Sequence, residues 1–234
     1  MQELTDVFTS ARSAQGNILI PAFTVGRTQD LLYLMAENFD AWGLGSWKIF
    51  LDSPMGINAT KVYSRYRHLF GARLFDPKTD YPDLPNLFAT RTVEESIAIN
   101  AMESGAIIIA GSGMCTGGRI LHHLKNNIWR PQCHLIIVGY QAVGTLGRRL
   151  VDGTEEISLW GDTYRVRAQR HLIGGLSAHA DQADLVDWYR SFEDRPPVYL
   201  VHGEDRGQKP LLEKLKSELG APAHIARYQQ KISV

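Results

Sequence analysis

The sequence predicts an α/β fold with a mainly parallel sheet and helices on both faces. Short apolar segments bounded by Gly, Pro or Asp alternate with helical patterns along most of the chain, and such segments are typical of strands that are covered on both sides. Six of them are predicted as strands: residues 17–21, 48–52, 86–90, 106–111, 134–139 and 198–203. Strands that alternate with helices indicate a layered fold.

The helical segments carry recognisable start signals. Residues 26–39 follow the first predicted strand with a helical pattern. Thr92 and Glu95 have the spacing of a capping box, in which each residue satisfies a backbone amide of the other at the start of a helix. Asp181 precedes a further helical pattern and is the expected cap of that helix.

One region departs from this alternation. Residues 155–173 alternate with a period near two, which predicts an antiparallel pair around Gly161-Asp162. The chain changes character after this region, so we expect two domains, residues 1–174 and residues 175–234.

Composition and charge exclude several classes of protein. Lys plus Arg equals Asp plus Glu at 25 each, so no overall positive field attracts nucleic acid, and any polyanion site must be local. Cys115 and Cys133 lack metal-ligand spacing and are expected to be free thiols in a reducing compartment. The polar first residues do not form a secretory signal, and no apolar run reaches the length of a membrane span, so we expect a cytoplasmic protein.

A glycine-rich segment in the middle of the chain is the first candidate site. Residues 110–119 read "AGSGMCTGGR", between a predicted strand and a helix that places Ile120, Leu124 and Ile128 on one face. A glycine-rich turn from strand to helix offers backbone amides to an anion. The same glycines could serve only the geometry of a tight turn, and the loop alone favours neither interpretation.

Two further strand–helix turns repeat this layout. Residues 21–32 contain Gly26 and Arg27, and residues 139–150 contain glycines followed by Arg148. Turns after parallel strands lie along one edge of the sheet, so the three turns could line a groove for an extended phosphodiester. A single arginine is more often a solvated surface charge.

Two histidines stand at positions suited to chemistry. His179 lies in "GLSAHAD" before the helix capped by Asp181, and His202 follows the apolar strand "VYLV". Histidines at the carboxyl ends of strands are candidate metal ligands or general acids and bases. Each could equally be a half-buried histidine with a backbone partner, and the sequence shows no set of three zinc ligands.

Five motifs in order resemble one known family. The segments "IPAFTVGRTQDLL", "GSGMCTGGR", "GYQAVGTLGRRL", "GLSAHAD" and "VHGE" are similar to those of the β-CASP branch of the metallo-β-lactamase nucleases. The resemblance runs from about residue 2 to 220. It implies hydrolysis of RNA phosphodiester bonds by a pair of zinc ions.

The resemblance also implies roles for individual residues. His179 corresponds to a histidine that assists as an acid near the scissile phosphate, and His202 corresponds to a ligand of one of the two zinc ions. Together with the groove argument for Arg27 and Arg148, it predicts contacts to single-stranded RNA from Arg27, Ser112, Gly113, Met114, Gly117, Gly118, Arg119, Arg148, Ser177 and Ala178.

The sequence departs from the family pattern in its metal ligands. The family's HxHxDH motif, its next zinc histidine, its bridging aspartate and its motif A acid have no counterpart here. We therefore expect residues 1–174 to form the β-CASP domain and residues 175–234 to form the carboxyl-terminal strand–helix portion of a metallo-β-lactamase domain. The chain alone is expected to be inactive, with exposed apolar strand surface, and to need a partner, either the metal-binding half or a second copy.

Two other functions remain open from the residues. A non-catalytic RNA-binding module would keep the groove without the metals. An α/β enzyme acting on a small phosphorylated ligand would use the same glycine turns for a single phosphate.

Overall fold

The computed structural model describes residues 2–69, 81–176 and 179–232. The chain divides into two compact units that meet between residues 177 and 178. This division lies close to the expected boundary at residue 174. The assignment of each unit to a catalytic or RNA-binding domain stays a prediction.

The first unit contains six helices and eight strands among its described residues. The helices are α1 (Gln2–Ala14), α2 (Arg27–Glu37), α3 (Pro54–Arg65), α4 (Val93–Ile99), α5 (Ile120–Asn127) and α6 (Leu146–Val151). The strands are β1 (Ile18–Pro21), β2 (Lys48–Asp52), β3 (Leu87–Ala89), β4 (Ala106–Ala110), β5 (His134–Val138), β6 (Glu156–Leu159), β7 (Asp162–Arg165) and β8 (Gln169–Ile173).

Six of these strands form one parallel sheet in the order β3-β2-β4-β1-β5-β8. β1 lies between β4 and β5, with Ile18 opposite both Ile107 and His134. The predicted α/β fold with a parallel sheet is confirmed, and the five predicted strands between residues 17 and 139 all belong to this sheet.

The sixth strand of the sheet corrects the prediction for residues 155–173. An antiparallel pair does form around Gly161-Asp162, because β6 and β7 pair with Leu159 opposite Asp162. Residues 169–173, however, form β8, which pairs in parallel with β5. β8 is an edge strand with exposed residues along most of its length, so its sequence has the alternating pattern of a hairpin strand.

Helices cover both faces of the sheet. On one face, Ile107 and Ile109 pack in a core with Phe8 of α1 and Leu32 of α2. On the other face, Leu19 and Ile108 pack against the predicted helical stripe Ile120, Leu124 and Ile128. The central strands are therefore completely buried, as the run of β-branched residues predicts.

The second unit contains two helices and a small parallel sheet. Its elements are α7 (Gln182–Arg190), β9 (Val198–Leu200), α8 (Asp205–Leu219) and β10 (Ala223–Ile225), with β9 paired to β10. Tyr189 and Leu215 lie in its small apolar core. Among the residues that the structure describes, no helix of either unit is long and apolar enough to cross a membrane.

Both helix starts marked in the sequence are confirmed. Thr92 accepts a hydrogen bond from the amide of Glu95 at 3.2 Å, and the Glu95 carboxylate accepts one from the amide of Thr92 at 3.0 Å. The Asp181 carboxylate accepts hydrogen bonds from the amides of Ala183 and Asp184. These side chains satisfy amides that the first turn of a helix leaves without partners.

A buried histidine pair on β5 and β8 makes the stability of the first unit depend on pH. His134 Nδ1 and His171 Nε2 are 2.9 Å apart, and His134 is completely buried. Burial, and then the charge of His171, lower the pKa of His134 from 6.5 to about 4. Between pH 6.5 and pH 4, His134 is therefore protonated in the unfolded chain but not in the folded chain.

We expect the free energy of unfolding to fall as the pH drops from 6.5 towards 4, by up to about 1.4 kcal/mol for each pH unit. Denaturant titration at pH 7.0, 5.5 and 4.5 measures this loss. His134→Gln can still bond to His171 but does not titrate, so it should flatten the dependence. His68→Gln changes an exposed histidine and should leave it intact, and equal slopes in the two variants would contradict the assignment.

Candidate functional site

The three glycine-containing turns lie side by side at one edge of the sheet. They follow β4, β1 and β5, which are adjacent strands in the sheet order. Because all three strands are parallel, their carboxyl ends and the turns after them share that edge. The edge is where open α/β sheets bind their ligands, so it is the candidate site of the first unit.

The turn after β4, residues 111–118, is here called the glycine loop. Its fold is held by Ser112, whose hydroxyl accepts a hydrogen bond from the amide of Thr116 at 2.9 Å. The Ser112 carbonyl accepts from the amide of Cys115, and the Ser112 amide donates to the carbonyl of Gly117. Ser112 is therefore engaged in closing the loop, and its predicted contact with RNA remains a prediction.

Several amides of the glycine loop remain available to a ligand, among them those of Met114, Gly117 and Gly118. Within the described parts of the chain, no atom accepts a hydrogen bond from the amides of Met114, Gly117 and Gly118. Gly118 is exposed, and the other two residues are half-buried. Amides that point away from internal partners in a tight loop are suited to the oxygens of a phosphate.

The neighbouring turns are locked onto the glycine loop. Gln141, in the turn after β5, donates from Nε2 to the carbonyl of Gly113 at 3.0 Å. The amide of Gly147 donates to the carbonyl of Met114 at 3.0 Å. A Cβ on Gly113 would lie 2.8 Å from the ring of Phe23, which follows β1. The three turns thus form one interlocked surface.

Each of the three predicted RNA-binding arginines is paired with an aspartate of this chain. The arginine side chains are only 14–20% exposed, and the pairs are Arg27 with Asp30 at 3.3 Å, Arg119 with Asp52 at 2.7 Å, and Arg148 with Asp152 at 2.8 Å. Their positive charge is therefore largely offset at this edge. The sequence analysis predicted that these arginines contact RNA, but it did not predict their aspartate partners.

The buried partner of Arg119 is a cluster that the sequence analysis missed. Asp52 ends β2 and is completely buried, and its carboxylate accepts hydrogen bonds from four side chains. The donors are Thr90, Ser96, Arg119 and His123, at 2.6–2.7 Å. The sequence does show an aspartate at the end of an apolar strand, which is a signal for a functional residue. It does not show the hydrogen-bond partners of this aspartate, because they are distant in sequence.

The cysteines take no part in the candidate chemistry. Both are buried free thiols. Burial raises the pKa of Cys115 to about 12, and it also raises the pKa of Cys133. A buried thiol with a raised pKa stays protonated at neutral pH and is a poor nucleophile.

The two predicted catalytic histidines belong to the second unit. His202 follows β9, has a left-handed backbone with φ of 59°, and lines a cleft of about 500 Å³. His179 is exposed, two residues before the helix cap Asp181, which lines the same cleft. Ser177 and Ala178, also predicted to contact RNA, lie outside the described residues.

The cleft around His202 is mostly apolar. Trp188 of α7 is 62% exposed and Val201 is 67% exposed, although both line the cleft. The expected exposure of apolar strand surface stays a prediction, because Trp188 belongs to α7 and Val201 follows β9, whose own residues are half-buried. Across residues 2–69, 81–176 and 179–232, no three His, Cys, Asp or Glu side chains are grouped so as to hold a metal ion.

Two neighbouring glycines test the geometry of the glycine loop. Gly118 has φ of +76°, and a Cβ there would lie 2.4 Å from the carbonyl oxygen of Gly111, whereas a Cβ on Gly117 meets nothing within 4 Å. We expect Gly118→Ala to lower the free energy of unfolding by about 1–3 kcal/mol. Gly117→Ala should change it little. Denaturant titration of both variants measures the difference, and equal stabilities would contradict this loop structure.

Two family models match the chain. Residues 28–150 match the β-CASP domain. Residues 163–226 match the domain described as the Zn-dependent metallo-hydrolase RNA specificity domain. The second match begins in the β6–β7 hairpin and continues through β10.

Curated relatives agree with these matches. The chain is 34% identical to ribonuclease TTHA0252 of Thermus thermophilus, over 100% of this chain and 54% of the relative. It is 33% identical to the transcription termination factor FttA of Pyrococcus abyssi, over 94% of this chain and 35% of the relative. An RNase J-like protein of Methanocaldococcus jannaschii is 32% identical over 81% of this chain and 43% of the relative.

The chain thus spans about half the length of the ribonuclease and about a third of the termination factor. The β-CASP match alone covers more than half of this chain, because it includes 123 of 234 residues (28 to 150). The five sequence motifs, the parallel sheet and both family models agree, and the chain therefore belongs to the β-CASP family.

Proposed function

We propose that this chain is the RNA-holding portion of a zinc-dependent ribonuclease that acts in the cytoplasm. The first unit would hold single-stranded RNA at the carboxyl edge of its sheet. The second unit would contribute His179 as an acid near the scissile phosphate and His202 as a metal ligand. The ribonuclease relative and the RNA specificity domain support this assignment.

The observation that carries the proposal is the set of available amides in the glycine loop. Met114, Gly117 and Gly118 each offer an N–H group that no described residue uses. The three arginines predicted to bind RNA are already paired with aspartates, so backbone donors would contribute much of the anion recognition at this edge. Backbone amides bind phosphate groups but do not distinguish between bases. This property suits an enzyme that acts on many RNAs.

The described residues do not by themselves fit a zinc pair. They contain no group of three potential ligands, whereas a catalytic zinc site uses three protein ligands and an open position. We infer that His202 is one ligand and that the others come from a metal-binding half or, failing that, from a second copy.

The apolar cleft of the second unit supports the need for such a partner. Trp188 and Val201 are largely exposed beside His202, and burying apolar surface of this size stabilises an association. A partner half that covers this cleft would bring its ligands close to His202. The same contact would remove the exposed apolar surface.

We expect Gly117→Ala to weaken binding of single-stranded RNA about tenfold without loss of stability. Its added methyl group lies in open space, where the phosphate would approach the loop. Fluorescence anisotropy with a labelled 12-nucleotide oligouridine measures the change.

Gly45→Ala is the matched control, because Gly45 lies before β2 at the opposite edge of the sheet and its Cβ would make only an ordinary contact at 3.7 Å. This variant should bind RNA as the wild-type chain does. Equal affinities for the two variants would contradict the proposed seat for RNA.

We expect the chain alone to leave labelled RNA intact in zinc or manganese, and to cut it when mixed with a metal-binding half that carries HxHxDH. In the mixture, His179→Ala and His202→Ala should each abolish cutting. His224→Ala changes an exposed histidine of the same unit and should preserve it. Cutting by the mixture that survives His202→Ala would overturn the assignment of this residue.

A non-catalytic RNA-binding module is the second candidate function. The absence of a three-ligand group among the described residues favours it. In that case RNA binding depends on the glycine loop, His202→Ala has no effect, and no metal-binding half restores cutting. Saturable binding of a mononucleotide without affinity for longer strands would instead favour an enzyme for a small phosphorylated ligand.

A further inference from the structure

Asp52 lies where the chain segments after β2, β3 and β4 meet, and the last of these is the glycine loop of the candidate site. It ends β2, which is flanked by β3 and β4 in the sheet. Its four hydrogen-bond donors come from the end of β3, from α4, from the end of the glycine loop and from α5: Thr90, Ser96, Arg119 and His123. One buried carboxylate therefore connects segments that are far apart in sequence.

The carboxylate is held in its charged form. Burial opposes the charge, but the hydrogen bonds from His123, Ser96 and Thr90 outweigh burial and lower the pKa of Asp52 to about 2. His123 Nε2 faces the carboxylate at 2.6 Å, and His123 Nδ1 finds no partner in the described chain. The Arg119 guanidinium lies 2.7 Å from the other carboxylate oxygen and is a positive partner of Asp52.

Arg119 links Asp52 to the backbone segment that follows β3. Its Nη1 also donates to the carbonyl of Thr90 at 3.2 Å, and its Nη2 donates to the carbonyl of Arg91 at 2.9 Å. Arg119 follows Gly117 and Gly118 directly in the chain. The position of its guanidinium group therefore limits where the backbone of these two glycines can lie.

A buried charge of this kind is not explained by stability alone. Apolar side chains of similar size often fill a core at least as well as a buried ion pair does, so such a pair is weak evidence for stability. In some proteins a buried pair instead fixes a geometry. The geometry next to this pair is that of the Gly117 and Gly118 amides, which no described residue uses.

We propose that Asp52 is a positioning residue that acts through Arg119 to hold the Gly117 and Gly118 amides in the arrangement that binds RNA phosphate. This inference rests on the proposed function. It also gives Arg119 a role inside the protein, in place of a direct contact with RNA through its Nη atoms.

The test compares two buried residues that each make several hydrogen bonds, Asp52 and Asn17, which lie at opposite edges of the sheet. Asp52→Asn keeps the shape of the side chain but removes the charge that holds Arg119. Asn17→Ala removes the second of these residues, before β1, where Asn17 donates to the Met102 carbonyl and to Asn127 Oδ1 and accepts from the amide of Ala106. Both variants lose buried hydrogen bonds, but only the first adjoins the glycine loop.

Two quantities are measured for each folded variant: the Kd for the 12-nucleotide oligouridine, and the hydrogen-exchange rate of the 111–118 amides without RNA. We expect Asp52→Asn to raise both about tenfold and Asn17→Ala to raise each less than twofold. Arg119→Lys should raise the Kd and the exchange rate by the same factor as Asp52→Asn. The double variant Asp52→Asn/Arg119→Lys should bind RNA no more weakly than either single variant, because both substitutions break the same contact between Asp52 and Arg119.

Unchanged RNA affinity in Asp52→Asn would overturn the inference, whether or not its loop exchanges faster. Additive losses of RNA affinity in the double variant would also overturn the inference, because Asp52 would then not act through Arg119. If Asp52→Asn does not fold, Arg119→Lys is compared with Asn17→Ala, and equal Kd values would overturn the inference. A wild-type chain that binds no RNA refutes the proposed function, and unchanged loop exchange in Asp52→Asn then refutes the positioning role separately.

Discussion

The parallel pairing of β1 with β4 on one side and β5 on the other is the constraint on which the candidate site depends. Ile18 lies opposite Ile107 on one neighbour and His134 on the other, and β1, β4 and β5 are completely buried. Burial on both faces fixes the register, because a slip of one residue would turn each side chain to the opposite face. This register brings the three glycine turns together.

The phosphate binding proposed for that edge depends on backbone groups more than on charged side chains. The three arginines predicted to bind RNA, Arg27, Arg119 and Arg148, are each paired with an aspartate of the chain. What remains is a loop that two adjoining turns hold in place and whose amides are available. Such a preformed seat binds an anion without first ordering long side chains, which would cost conformational entropy.

The sequence predicted the sheet and the position of the loop because those features depend on local patterns. Runs such as residues 106–110 and the glycine spacing after them specify a strand and a tight turn directly. The sequence failed where partners are distant: β8 has the pattern of a hairpin strand because it lies at an edge, and Asp52 meets His123 only through the pairing of β2 with β4. The roles of His179 and His202 came from family resemblance alone and remain predictions.

The most direct test of the account is a titration of the ¹⁵N-labelled chain with single-stranded RNA, followed by the amide resonances of the glycine loop. We expect the amides of Met114, Gly117 and Gly118 to shift most, and to shift together with one affinity, because they would bind the phosphate oxygens directly. Shifts confined to other surfaces, with these three amides unchanged at saturation, would contradict the central claim that the glycine loop holds the RNA backbone.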